Sequence, residues 1–286
     1  MNKILNIKNL ANLLFGLLLT CCCANKESPK KGNILVLDDF DKKEVFINDD
    51  NIPDVSHGEI VADIIEKGLP EYNVERKSFH IYNIQNKSIK ENLFNNLVNN
   101  NKKYDAANIS IGLSVDFDVL SAITKINVNK DNIAEKTKEL KRFFKNNPDI
   151  TFCNDDFVPI KMGGIADILE VLDSLNAKGT QLYISSPNDG PFRFNILSLA
   201  DNSICVGSTD GNNIKYYSGN NSLIKRFYND ELIINKTSKG YSIDGGRTTS
   251  FTQAQVSQKS NIEYSKKQMG ASYATPRVLV MDFCRK

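Results

Sequence analysis

A three-layer α/β fold, with a mostly parallel central sheet flanked by helices, is what the hydrophobic pattern predicts. Short, mainly apolar runs at residues 34–37, 107–111, 182–184 and 203–206 have the length and character of strands buried on both faces. Between them, apolar residues recur three and four apart, as on one side of a helix. Strands alternating with helices build a parallel sheet, because each crossover needs a connection long enough to hold a helix.

The first run, Ile34-Leu35-Val36-Leu37, ends in Asp38. After His57 the spacing of Ile60, Val61, Ile64, Ile65 and Leu69 predicts a helix, and Ile89, Leu93 and Leu97 predict the next. Residues 107–111 form the second strand. The stretch 117–147 holds two more helical candidates, the second rich in Lys and Glu, followed by a helix carrying Ile165, Ile168, Leu169, Leu172 and Leu175. Strands at 182–184 and 203–206 complete the predicted sheet. From about 212 to 260 short alternating runs such as Leu232-Ile233-Ile234 and Tyr241-Ser242-Ile243, separated by Asn and Gly, predict hairpins. No repeat or long linker interrupts residues 32–286, which are expected to form one domain.

The composition fits that size of core: of 286 residues 41% are hydrophobic and 24% charged. Two of the 36 basic residues, Lys3 and Lys8, precede an apolar stretch at 10–19 that is too short to span a bilayer, so residues 1–23 are expected to be an export signal. The rest of the chain carries 34 charges of each sign, a balance with no electrostatic case for nucleic acid. Thr20-Cys21-Cys22-Cys23 resembles the lipobox of bacterial lipoproteins, with Cys21 and Cys22 both candidates for lipidation. Residues 24–31 then form a polar tether. The expectation is a protein exported from a bacterial cytoplasm and anchored by a lipid, facing the periplasm or the cell exterior. Of six cysteines only Cys153, Cys205 and Cys284 lie beyond the leader, which allows one disulfide at most and no zinc spacing. Nothing in the sequence indicates an oligomeric state.

The heptapeptide Gly270-Ala271-Ser272-Tyr273-Ala274-Thr275-Pro276 sets a serine among small residues where a helix could begin. Its proline would fall inside that helix, where it removes a backbone bond and costs roughly 3 kcal/mol, a local violation of the kind that marks a functional site. A serine hydroxyl needs a base to become a nucleophile. The chain has two histidines, and His80, which reads as a strand residue, is assigned no role. That leaves His57, in Ser56-His57-Gly58-Glu59, preceded by Asp38. An α/β-hydrolase is excluded, since its histidine must follow the serine.

Four segments together resemble the subtilisin-like serine peptidases, or subtilases: Asp38 at the end of a strand, His57-Gly58 with Val61-Ala62, the serine box 270–276, and Ser185-Ser186-Pro187-Asn188-Asp189-Gly190. The resemblance implies a serine endopeptidase in which Asp38, His57 and Ser272 form the triad and Asn188 donates to the oxyanion. It further implies that Ser110-Ile111-Gly112 pairs with an extended peptide or protein substrate. No cofactor or metal is expected. The acids Asp49, Asp50 and Asp54 are the residues that would suggest calcium, and they are read as solvated loop acids. Departures from the family pattern are Asp39-Phe40 after Asp38, Pro187 before Asn188, and Leu113, which is expected to narrow a substrate pocket. Only 14 residues follow Ser272, so a core trimmed at its carboxyl end is expected, and a folding-assisting propeptide has no room between leader and first strand. Two alternatives stay open: a catalytically inactive peptide-binding lipoprotein, and a transpeptidase or peptide cyclase.

Overall fold

The structure, a computed structural model, describes residues 30–40, 56–79, 97, 102–153, 159–237, 240–244 and 262–285. The leader with Cys21 and Cys22, the acids Asp49, Asp50 and Asp54, His80, and the helix expected around Ile89 and Leu93 lie outside the described residues.

The central sheet has six strands: β1 (Gly32–Asp38), β2 (Tyr72–Ser78), β3 (Ala106–Ile109), β7 (Gln181–Ser185), β9 (Ile204–Thr209) and β10 (Ile224–Asn229). Their spatial order is β10-β9-β7-β3-β1-β2, and every pair is parallel. The architecture is thus the three-layer one that the sequence predicts. Side chains of β1 alternate between two cores. Ile34 and Val36 join a cluster with Val61 and Ile65 of α1 (His57–Gly68) and with Ala274, Val278 and Leu279 of α5 (Ala271–Cys284). Leu35 and Leu37 face the opposite layer, which holds α2 (Phe117–Thr124), α3 (Ile133–Asn146) and α4 (Met162–Ala177). A strand covered on both sides must be apolar along its length, which is why the pattern was visible in the sequence.

Two strands of this sheet escaped the pattern. β2 reads Tyr-Asn-Val-Glu-Arg-Lys-Ser and lies at one edge, half-buried, with charges that suit an exposed border. At the other edge is β10, in a region expected to contain only hairpins. The hairpin β11 (Leu232–Thr237) with β12 (Gly240–Asp244) does form, and β13 (Ile262–Gln268) pairs on the other side of β11. Residues 214–217, inside the stretch expected to form hairpins, form only a single bridge between Ile214 and Thr209. Two short antiparallel ribbons complete the described structure: β4 (Ser114–Asp116) with β8 (Arg193–Asn195), and β5 (Thr151–Cys153) with β6 (Pro159–Lys161).

The helix bearing the serine box is deeply set. Residues 271–279 of α5 are all buried, packed against α1 and the sheet. Fully burying Val278 and Leu279 contributes roughly 1.5–3 kcal/mol each. Burial of this first half supports Ser272.

Candidate active site

The carboxyl ends of β1, β3 and β7 open onto one cleft, the usual place for a ligand in a parallel sheet. Asp38, the last residue of β1, is completely buried. Its Oδ1 accepts from the backbone N–H of Asp39 (2.7 Å) and from His57 Nδ1 (2.8 Å). Its Oδ2 is buried and has no partner among the described residues. Because an ionised carboxylate can only accept, the proton lies on Nδ1, and Nε2 is left with a lone pair. That nitrogen stands 2.9 Å from Ser272 Oγ.

His57 is placed by the start of α1. Ser56 caps the helix, its Oγ accepting from the Glu59 N–H at 3.1 Å, which is half of a capping box. Gly58 donates to the carbonyl of Asp39 at 2.8 Å. A Cβ on Gly58 would lie 2.7 Å from that carbonyl and 2.9 Å from the Phe40 ring, so glycine lets the loop after Asp38 press against the helix. The departure Asp39-Phe40 therefore belongs to the bed of the histidine. On its other side the imidazole meets the ring of Tyr273, centroids 5.2 Å apart. Burial disfavours protonation of His57, but the Asp38 carboxylate, the hydrogen bond to it and the charge of Asp39 outweigh burial, and its pKa lies above the ordinary value of 6.5.

Ser272 sits in the first turn of α5, entered through a strained glycine. Gly270 has φ 152° and ψ 149°, a conformation essentially reserved for glycine, and a Cβ there would lie 2.9 Å from Asn188 Nδ2. Three groups hold this turn. The Gly270 N–H donates to Asp230 Oδ2 at 2.8 Å, and the Tyr217 hydroxyl donates to the same oxygen. The Ala271 N–H donates to Asn188 Oδ1 at 2.9 Å. Pro276 lacks the N–H that would reach the Ser272 carbonyl four residues back, and that carbonyl instead accepts from Ser110 Oγ at 2.9 Å. Ser110 in turn accepts from Asn108 Nδ2 at 2.7 Å. Arg277 fixes the same corner from behind, donating to the carbonyls of Asn229 (2.8 Å) and Glu231 (2.9 Å).

Asn188 follows β7 in a loop latched to a neighbour: Gly190 donates to the Tyr217 carbonyl at 2.8 Å and Gly219 to the Pro187 carbonyl at 3.1 Å. Asn188 lines the cleft, and with its Oδ1 taken by the Ala271 N–H its Nδ2 is the side chain's donor. Segment 110–112 continues β3 past its last ladder pair, Ile109 with Ile184, and lines the same cleft of about 370 Å³. The structure thus brings Asp38, His57, Ser272, Asn188, Ser110, Ile111 and Gly112 together. Leu113 does not narrow the cleft as expected. It is buried in the α3 and α4 core, and Asn195, also buried, ties the backbones of the two walls together by donating to the carbonyls of Ser185 and Ile111. Among the described residues no cluster of three His, Cys, Asp or Glu side chains could hold a metal ion.

Solved proteases resemble this chain. The prenylagaramide maturation protease PagA is 14% identical, with a TM-score of 0.48 over 87% of this chain and 73% of that one. A lanthipeptide protease is 15% identical, with a TM-score of 0.46 over 87% and 71%. The nisin leader peptidase NisP from Lactococcus lactis is 13% identical, with a TM-score of 0.46 over 88% and 76%. No family model and no curated protein matches the sequence.

Asp230, Tyr217, Asn108 and Asn195 were not legible as site residues, because each arrives from a segment with no local motif. Pro276 did hold a signal for the second role of Ser110, whose hydroxyl donates to the Ser272 carbonyl. A proline four residues after Ser272 leaves the Ser272 carbonyl without its helical donor, so a hydroxyl or amide from elsewhere has to supply one.

Proposed function

We propose that this protein is a serine endopeptidase of the subtilisin-like type, hydrolysing peptide bonds through an acyl-enzyme. The observation that carries the reading is the continuous hydrogen-bond chain from Asp38 Oδ1 through the imidazole to Ser272 Oγ. His57 Nε2 takes the hydroxyl proton as Ser272 Oγ bonds to the substrate carbonyl carbon. Negative charge then develops on the carbonyl oxygen, where the Asn188 amide and the Ser272 N–H, in the first turn of a helix, donate to it. His57 returns the proton to the leaving amine, the C–N bond breaks, and water repeats the sequence to release the acyl group. Asp38 holds the imidazole in the required tautomer and stabilises its cation without taking the proton. Segment 110–112, unengaged by the ladder of β3, offers its backbone to an extended peptide.

The sequence of the leader adds a second part to the proposal: export, with lipidation at Cys21 or Cys22 holding the peptidase at a membrane. No helix among the described residues is long and apolar enough to cross one. Hydrolysis is tested by incubating the full chain with unfolded casein and weighing the fragments. Fragments whose masses together exceed that of casein by one water per bond cleaved, absent with Ser272→Ala, are expected. Joined or cyclic products would instead identify a transpeptidase, and intact casein an inactive peptide-binding protein.

A further inference from the structure

We infer that Asp230 is a positioning residue for the reaction: its carboxylate ties the turn that carries Ser272 to the loop that carries Asn188, and so fixes the nucleophile against the oxyanion donor. The inference rests on the peptidase reading above. Asp230 lies between β10 and β11 and is completely buried. A carboxylate oxygen accepts more than one bond, and Oδ2 takes two from segments far apart in the chain, the Gly270 N–H at 2.8 Å and the Tyr217 hydroxyl. Tyr217 passes the connection on. Its own carbonyl accepts from Gly190, two residues after Asn188, at 2.8 Å, and Gly219 ties the start of the same loop by donating to the Pro187 carbonyl at 3.1 Å. Asn188 then returns to the serine turn, since its Oδ1 accepts from the Ala271 N–H at 2.9 Å. These bonds close a ring that runs from Gly270 through Asp230, Tyr217 and Gly190 to Asn188 and back to Ala271.

Two successive amides of the turn are thus held, one by the oxyanion residue and the other by the carboxylate that holds its loop. The backbone of Gly270, with φ 152° and ψ 149°, lies inside this ring, and such a conformation persists only where its surroundings over-determine it. The ring is anchored from behind by α5 itself. Arg277, five residues after Ser272 and also buried, donates to the carbonyls on either side of Asp230, Asn229 at 2.8 Å and Glu231 at 2.9 Å. A buried charge is costly without an opposite one nearby. Burial lowers the pKa of Arg277, and Tyr228 and Asp230 act against that fall. Asp230 Oδ1 has no partner among the described residues, so the two bonds at Oδ2 and the field of Arg277 are what compensate the carboxylate. Guanidinium and carboxylate secure each other, and movement of residues 229–231 away from the helix would separate them.

The test is a double-mutant cycle on kcat, using the full chain and a quenched-fluorescent peptide that spans the main site it cuts in casein. Tyr217→Phe removes one hydroxyl from a half-buried side chain and opens the ring, leaving the bond from Gly270 to Asp230 in place. It is expected to lower kcat about fivefold or more with KM nearly unchanged, since a 1 Å misplacement of reacting groups costs on the order of 10²-fold. In an Asn188→Ala background no side-chain donor remains to be aligned. There the same change should alter kcat less than about twofold, because groups that act as one unit are not additive. Equal losses in both backgrounds, or none in the wild type, would overturn the inference while leaving the peptidase reading intact. Asp230→Ala should lower kcat about 100-fold with little change in KM. Asp230→Asn, which keeps an oxygen able to accept both bonds, should recover most of that loss. The cycle leaves Asp230 in place, so it decides the matter even where Asp230→Ala does not fold. If the wild type cuts no casein and a fluorophosphonate leaves Ser272 unmodified, the peptidase reading falls and the inference with it.

Discussion

The proton that His57 must give up is held by two opposed effects, and their balance makes a prediction at the scale of one residue. Burial favours the neutral ring, while Asp38 and Asp39 favour the cation and prevail. Only the neutral ring can accept from Ser272, so activity should rise with pH through a pKa above 6.5. Asp38→Asn removes the nearer charge and leaves burial in place, and the acid limb of kcat/KM should therefore move to lower pH. The same change allows the wrong tautomer, with Nε2 protonated, and kcat should fall on the order of 10⁴-fold. A pH-rate profile of the variant measures both. An acid limb that stays in place would mean that Asp38 does not hold the histidine.

At the scale of the element, the nucleophile depends on how α5 begins. A helix start leaves amides unpaired, and Pro276 adds an unpaired carbonyl at Ser272 itself. Gly270 supplies the turn, Asp230 and Asn188 take two of the amides, and Ser110 takes the carbonyl. The sequence reading placed Ser110 at the cleft as part of a substrate strand. Its hydroxyl has a second task there, since it fixes the backbone of the serine. Ser110→Ala strands a buried carbonyl and the Asn108 amide, and should lower stability by about 1–3 kcal/mol, measured by urea unfolding. It should also lower kcat more than it changes KM, because the backbone of Ser272 shifts while the walls that bind the peptide remain. Ser110→Thr, which keeps the hydroxyl, should restore most of both. Loss of stability with unchanged kcat would show that the bond serves the fold alone.

Over the whole molecule, the central sheet was legible where strands are covered on both faces and obscure at its borders. β1, β3, β7 and β9 are apolar because helices lie above and below them, and a run of that kind needs no context to be recognised. β2 and β10 are edge strands with mixed faces, and β10 lies among turns that suggested hairpins throughout. The site divides the same way. Asp38, His57, Asn188 and Ser272 each carry a local signature at the end of a strand or the start of a helix. Asp230, Tyr217 and Asn195 carry none, for what they do depends on partners 10 to more than 80 residues away. Leu113 shows the limit from the other side: a narrowed pocket was inferred from it, yet the residue turns into the core.

What the fold accomplishes is to carry residues 38, 57 and 272 from three distant segments to within hydrogen-bond reach of one another. The most direct test is labelling by a fluorophosphonate, which reacts with a serine only when a neighbouring base activates it. Mass spectrometry of the labelled full chain should find the adduct on Ser272, and His57→Ala should abolish it while circular dichroism shows the variant folded. A folded wild-type protein that takes up no label, or a His57→Ala variant that labels as readily, would contradict the account.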